Sequence, residues 1–242
     1  MSRANVKDKR KAQLIAAALE SIAKRGLLET TITHISKGAG MSRGIINFYF
    51  TSKEIMLRET LKTLIDEYEA EWGEALAKAG EEGRVRLDGL IAAHFNKKLC
   101  SARRLNVMSA FWGHAATQAA YRNQLEAADA KIENALTEAL AHTLGGSLDE
   151  ARNAATQLHA LIRGLWLNFM LNPRDVAREV LAAQAASFID RLTGAPVRIV
   201  RDHIIARPSS KAELVKPEPK TRKAKAEAPQ QLDIEDLFGN RA

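Results

Sequence analysis

The 242 residues include 36 lysines and arginines against 29 aspartates and glutamates, a net charge of +7, and 46% of them are hydrophobic. A chain this apolar can bury a sizeable core, in one large domain or two small ones. Cys100 is the single cysteine, which excludes an intramolecular disulfide and fits a reducing compartment. No run of about 18 apolar residues is present to span a bilayer, and the opening MSRANVKDKRKAQ is charged without the apolar stretch of an export signal, so a cytoplasmic protein is expected.

Six prolines and long Ala/Leu/Glu/Arg-rich runs predict an all-α protein. In chain order, Leu14, Ile15, Ala18, Leu19 and Ile22 recur at helical spacing. That helix is expected to stop at Lys24-Arg25-Gly26, with basic residues at its negative end and a glycine just beyond. Thr31 caps a second helix over Ile32–Gly38, Gly40-Met41 turns the chain, and Ser42 caps a third helix over Arg43–Tyr49. Thr51-Ser52-Lys53-Glu54 has the form of a capping box and opens a fourth helix reaching Gly80. Further helices are expected at about 84–99, 103–115, 118–144, 148–172 and 175–193, broken most clearly at Gly145-Gly146 and Asn172-Pro173.

Charge is concentrated at one end. Residues 1–58 hold eleven basic side chains and four acidic ones, so the whole net charge sits in the first quarter and the rest is neutral on balance. A polyanion-binding surface explains this; a solvated basic face gives the same count. The third helix favours the first explanation. Two helices joined by a short glycine-bearing turn form a helix-turn-helix whose second helix enters the DNA major groove. Such a helix needs only two turns, because its first residues do the reading. Gly44 weakens it by about 1 kcal/mol relative to alanine but allows close approach of backbone to DNA. Arg43 has the reach for guanine O6/N7, and Asn47 for adenine N6/N7. Ile45, Ile46 and Phe50 are expected to anchor the helix. Lys53, in the first turn of its helix, opposes the helix dipole unless a phosphate lies nearby.

The stretch TTITHISKGAGMSRGIINFYFTSKEIML resembles the N-terminal domain of tetracycline-repressor-type (TetR) transcriptional regulators, through Thr31, Ile32, Ile35, Ala39, Gly40, Ser42, Gly44, Tyr49, Phe50, Ser52, Lys53 and Glu54. The resemblance covers about residues 8–58. It implies that Thr31, Tyr49 and Lys53 touch phosphates and that Thr33, His34, Arg43, Asn47 and Phe48 face the groove or its edge, with Ser42 and Gly44 at the start of the reading helix. Where the family has alanine after the second isoleucine, this chain has Ser36. The family implies a homodimer whose two heads engage a palindromic operator, and a small effector that shifts the equilibrium away from the DNA-competent state.

Ala110-Phe111-Trp112, Tyr121-Arg122, Gly164-Leu165-Trp166-Leu167 and the GIINFYF of the reading helix resemble the choline-responsive, betaine-pathway branch of that family. A quaternary ammonium prefers aromatic faces where water is excluded. Phe111, Trp112, Tyr121, Trp166 and Phe169 are the candidate walls of such a pocket, with Glu126 or Asp129 to offset the ligand charge; aromatics that merely fill the core explain the same cluster. The segment 148–172 is apolar nearly all round, which suits either a four-helix dimer interface with Val180, Leu181, Phe188, Ile189 and Leu192 or an intramolecular bundle.

From about Arg207 the chain turns Pro/Lys/Glu/Ala-rich and is expected to be disordered. It ends near the acidic-apolar Leu232-Asp233-Ile234-Glu235-Asp236-Leu237-Phe238, a candidate docking motif for a protein partner or an inert tail. The expected division is a DNA-binding head at 1–55, a helical regulatory and dimerisation domain at 56–200 and a tail at 201–242. The rival functions are a helical adaptor using that tail and, behind it, an enzyme. The six histidines are scattered, and no His-Glu-x-x-His, Cys-x-x-Cys or Gly-x-Ser-x-Gly occurs. No cofactor, metal or catalytic residue is expected.

Overall fold

A computed structural model describes residues 3–195, with side chains from Val6 onward. Among them every regular element is an α-helix: α1 (Arg3–Glu29), α2 (Ile32–Ala39), α3 (Arg43–Tyr49), α4 (Lys53–Ala79), α5 (Gly83–His94), α6 (Ala102–Ala115), α7 (Ala119–Leu144), α8 (Leu148–Leu171) and α9 (Arg178–Thr193). None is long and apolar enough to cross a membrane. The chain divides into two units, Met1–Ile205 and Ala206–Ala242, of which only residues 3–195 of the first are described. The second unit, the motif at 232–238 and the expected tail at 201–242 lie outside the described residues.

Local chemistry sets most helix ends, with four departures from expectation. At Gly26 the helical dihedrals fail (φ 82°, ψ 171°), but the chain recovers a last turn to Glu29; the Thr30 hydroxyl, fully buried, donates to the Gly26 carbonyl at 2.8 Å and braces the kink. The cap of α4 is Ser52, whose Oγ accepts from Ile55 N at 3.1 Å. Thr51 and Glu54 therefore stand one position out of register for the expected box. A complete capping box does occur at α8, where Ser147 and Glu150 exchange bonds of 2.9 and 3.2 Å. The segment expected to continue to residue 99 stops at His94, because the Asn96 carboxamide takes the Leu99 N–H at 2.8 Å, the local competition that ends helices at such residues. The last helix begins at Arg178 rather than 175.

Three apolar clusters stack along the described chain. Leu14, Ala18, Ile35, Ile46, Phe50 and Met56 form the core under the helix-turn-helix. Ile22 and Leu27 of α1, Leu57, Leu61 and Leu64 of α4, Val107 and Phe111 of α6, and Tyr121 and Leu125 of α7 form the second. The third is the largest and joins α5, α7, α8 and α9 through Leu87, Leu90, Leu136, Leu158, Ile162, Leu181 and Ile189, with Tyr68 of α4 at its edge. The long α4, about 40 Å at 1.5 Å per residue, thus contributes to all three.

The apolar girth of α8 is mostly spent inside this core: Leu158, Ile162, Leu165, Trp166 and Phe169 are buried, as are Leu181 and Ile189 of α9. Leu167 and Leu171 of α8 and Leu192 of α9 remain exposed, at 50%, 66% and 41%. The Asp190 carboxylate, 2% exposed, lies 2.7 Å from an Arg84 guanidinium nitrogen and fastens α9 to α5. One residue earlier, Gly83 sits hard against α7. A Cβ there would lie 2.6 Å from Thr143 Oγ1 and 2.8 Å from the Ala139 carbonyl oxygen, which is backbone and cannot yield. Gly83→Ala is expected to destabilise the protein by about 1–3 kcal/mol, the usual range for overpacking; an unchanged urea midpoint would contradict this packing.

Candidate DNA interface and effector cavity

The helix-turn-helix is held by its own backbone. Gly40 adopts φ 64°, ψ 29°; its N–H donates to Lys37 O at 3.3 Å and the Met41 N–H to Ser36 O at 3.1 Å. This bond pair is the Schellman arrangement, which requires a left-handed residue at that position. The Ser36 hydroxyl donates to the Met41 carbonyl at 2.5 Å and clips the same turn, so the residue that departs from the family pattern has a structural task. Ile46 is fully buried and Phe50 2% exposed, while Ile45 is only half-buried. Ile46 and Phe50 therefore anchor α3.

The opposite face of α3 is open. Ser42, Arg43, Gly44 and Asn47 are exposed, and Phe48 is 74% exposed. A Cβ on Gly44 would meet only Ser42 Oγ at 3.8 Å; nothing inside the protein requires a glycine there. Arg43 is parked on Thr33, its guanidinium donating to Thr33 Oγ1 at 2.5 Å. Thr31 caps α2 by accepting the His34 N–H at 3.2 Å, and the His34 ring bonds the Glu29 carbonyl at 3.0 Å. Tyr49 packs edge-on against Phe48 at 5.3 Å. Lys53 reaches back to donate to the Leu28 carbonyl at 3.2 Å, a contact that sequence inspection had no means of finding.

The regulatory half contains an inner cavity of about 40 Å³ between α4, α6, α7 and α8. Its walls include Ile65 and Tyr68, Arg104, Met108 and Trp112, Leu125 and Asp129, and His159, Arg163 and Trp166. Tyr68 and Trp166 meet edge to face at 5.9 Å. Behind them runs a buried hydrogen-bond chain. His94 Nδ1–H donates to the Leu90 carbonyl at 2.6 Å, the Tyr68 hydroxyl donates to His94 Nε2 at 2.7 Å, and Trp166 Nε1–H donates to the His94 carbonyl at 2.9 Å. The donor roles follow from the charge state. Burial holds the His94 imidazole neutral, with a pKa of about 4, and burial also pushes the Tyr68 phenol upward. The guanidinium of Arg163 bonds Asp129 and lies over the Trp112 ring, 5.6 Å from its centroid. Arg104 bonds Glu67 at 2.5 Å and the Leu64 carbonyl at 2.7 Å. His159 donates to Glu133 at 3.0 Å. Cys100 is buried, its thiol pushed up to about 12 by that burial, so it has no thiolate chemistry at neutral pH.

The profile of the tetR family of bacterial regulatory proteins matches residues 14–60, and that of the C-terminal domain of BetI-type transcriptional repressors matches residues 83–194. The HTH-type transcriptional regulator BetI of Burkholderia mallei is 31% identical over 192 residues, 79% of this chain and 97% of that protein. The chain belongs to the TetR family. It is a DNA-binding transcriptional regulator with a BetI-type C-terminal domain. A transcriptional regulator from Pseudomonas aeruginosa is 26% identical with a TM-score of 0.71, over 77% of this chain and 91% of that one. A regulator from Saccharomonospora viridis solved in complex with choline shares the fold at 21% identity and a TM-score of 0.67, over 76% and 96% of the two chains.

In this TetR-family chain, the structure divides the five aromatics singled out in the sequence. Trp112 and Trp166 line the cavity. Phe111, fully buried, pairs edge-on with Tyr121 at 5.2 Å in the second apolar cluster and does not reach it. Phe169 belongs to the third cluster, with Arg178 over its ring at 5.7 Å. Of the two candidate carboxylates, Asp129 lines the cavity and Glu126 is exposed beside Arg122. Tyr68, His94, Arg104 and Arg163 escaped the sequence reading, because nothing in their spacing links α4, α5, α6 and α8.

The neutral His94 has a stability consequence. Its folded pKa lies below the ordinary 6.5, so on acidification the unfolded chain takes up a proton that the native one refuses. Stability from this residue is complete above about pH 6.5 and falls by up to ~3 kcal/mol as pH drops to about 4. His94→Gln is expected to remove that part of the slope; urea unfolding of both proteins at several pH values between about 7.5 and 4 checks it, and equal slopes would refute it.

Proposed function

We propose that this regulator reads a palindromic operator as a homodimer and leaves it when a compact quaternary ammonium effector, choline or a close relative, enters the inner cavity. The observation that carries the effector assignment is the wall chemistry. Trp112, Trp166 and Tyr68 surround a space that also presents the Asp129 carboxylate, and aromatic faces beside one negative charge favour a cation shielded from water. The BetI relatives and the choline complex of the S. viridis regulator support the same choice. A cavity of about 40 Å³ has room for only a few waters. An effector must therefore widen it, and whatever favours the widened state shifts the population away from the present one. Tyr68 sits on α4 about four turns from Lys53, so widening acts on the helix that carries the head.

The proposed division is a head at 1–55, a regulatory body at 56–200 and a tail at 201–242, with the exposed Leu167, Leu171 and Leu192 continuing into the partner protomer. In the head, Arg43 and Asn47 read base edges, Thr33, His34, Ser42, Gly44 and Phe48 border the groove, and Thr31, Tyr49 and Lys53 hold phosphates. A cytoplasmic place and the absence of enzymatic activity fit this role.

Arg43→Ala is expected to cost ~1–3 kcal/mol of operator binding and to relax base preference. Lys53→Ala should weaken all duplexes alike and flatten the salt dependence. Gel shifts over a salt series separate the two, and unchanged binding in both variants would remove the head assignment. Thermal melting with choline, glycine betaine and unrelated metabolites tests the effector. A rise with a quaternary ammonium is expected; a rise only with another ligand class would discard the cation reading while leaving the regulator intact.

A further inference from the structure

The aromatic and acidic groups of the inner cavity are not vacant. Arg163 bonds Asp129 and covers the Trp112 face, which are the same two contacts that a cationic effector would seek. We infer that Arg163 is a built-in occupant of the cation subsite, and that an effector enters by exchange, lifting the guanidinium off Trp112 and Asp129 and taking its place. This deepens the effector reading above and rests on it.

Three observations converge. First, the exchange conserves charge: one cation replaces another on Asp129, so no uncompensated carboxylate is left in a partly buried site. Second, Arg163 has somewhere to go. Its side chain is 37% exposed, in contrast to the walls behind it. It also forms part of an outer cleft of about 330 Å³ between α6 and α8 that shares Leu105, Trp112, Arg163 and Trp166 with the inner cavity. The next residue, Gly164, has no neighbour within 4 Å of where a Cβ would stand, so the guanidinium can swing along that surface and remain hydrated. Third, the other basic groups of the cavity are committed elsewhere: Arg104 is held by Glu67 and the Leu64 carbonyl, and His159 is bonded to Glu133 at 3.0 Å with its other ring nitrogen 3.9 Å from Asp129. Arg163 is thus both plug and door. With Leu105, Trp112 and Trp166 it lines both the outer cleft and the inner cavity, and it sets the threshold at which the effector acts, because a ligand that must first empty its site binds more weakly by the fraction of time the site is empty.

The test is isothermal titration of choline into the full-length protein and its Arg163→Gln variant, with operator binding and the far-ultraviolet spectrum as controls for folding. The exchange predicts that Arg163→Gln binds choline at least about tenfold more tightly, as expected for a site freed from a competitor present about nine-tenths of the time. Arg163→Lys, which keeps the charge without the planar stacking surface, should fall between the two and serves if the glutamine variant folds poorly. Methylguanidinium should compete with choline in Arg163→Gln far more effectively than in the parent, because it refills the vacated place; a merely structural arginine would give no such difference. Choline binding in Arg163→Gln alone also supports the exchange. If the parent binds choline and the variant binds equally or more weakly, the exchange is wrong and the effector reading survives. If neither protein binds choline, both fall together.

Discussion

A neutral imidazole sealed in the core governs how this molecule is put together. His94 closes α5, and its two ring nitrogens and its carbonyl are each spoken for: by Leu90, by the Tyr68 hydroxyl of α4 and by the Trp166 indole of α8. Every donor in the chain has a single acceptor, and none of the three side chains can shift without stranding a buried polar group, at about 1–3 kcal/mol each. Apolar contacts alone would let α4 slide against its neighbours with little penalty, since methyl groups are poor judges of register. The hydrogen-bond chain selects one register, and the position of α4 then decides where the head sits.

That arrangement puts the proposed effector cavity beside the buried hydrogen-bond chain. Tyr68 and Trp166 face the His94 chain on one side and the inner cavity on the other. The opposite wall is made of pieces with weaker ties: a half-exposed Arg163, the Asp129 it holds, and a half-buried Trp112. Ion pairs with solvent access contribute little to stability, about 0–1 kcal/mol, so this wall can be rearranged without endangering the fold. The largest apolar cluster, among α5, α7, α8 and α9, takes in Tyr68 and Trp166 on the His94 side and supplies the stability that the cavity does not.

The head was readable from its residues because it is local. Its turn depends on bonds spanning five residues or fewer, Gly40 to Lys37 and Met41 to Ser36, and its caps act within three residues. Even here, neighbouring hydroxyls defeat pattern matching: Thr51 and Ser52 offer alternative caps, and the one chosen depends on which can hold extended dihedrals while reaching an N–H three residues on. The aromatic cluster was another matter. Phe111 and Trp112 are consecutive, so a helix turns them about 100° apart; one joined the junction with Tyr121 and the other the cavity. Composition identifies aromatics in a segment but not the side of the helix on which an empty space will be left.

Sequence by itself determined the all-helical class, the helix-turn-helix, the placement of positive charge and the family, since each rests on contacts within a few residues or on counts that folding does not change. Tertiary structure alone decided which aromatics share a cavity, that Asp129 rather than Glu126 faces it, that Arg163 lies on Asp129 and the Trp112 face, and that Tyr68 meets His94. Those pairings join residues 26 to 72 positions apart, and no periodicity along a chain encodes the angle at which one helix crosses another.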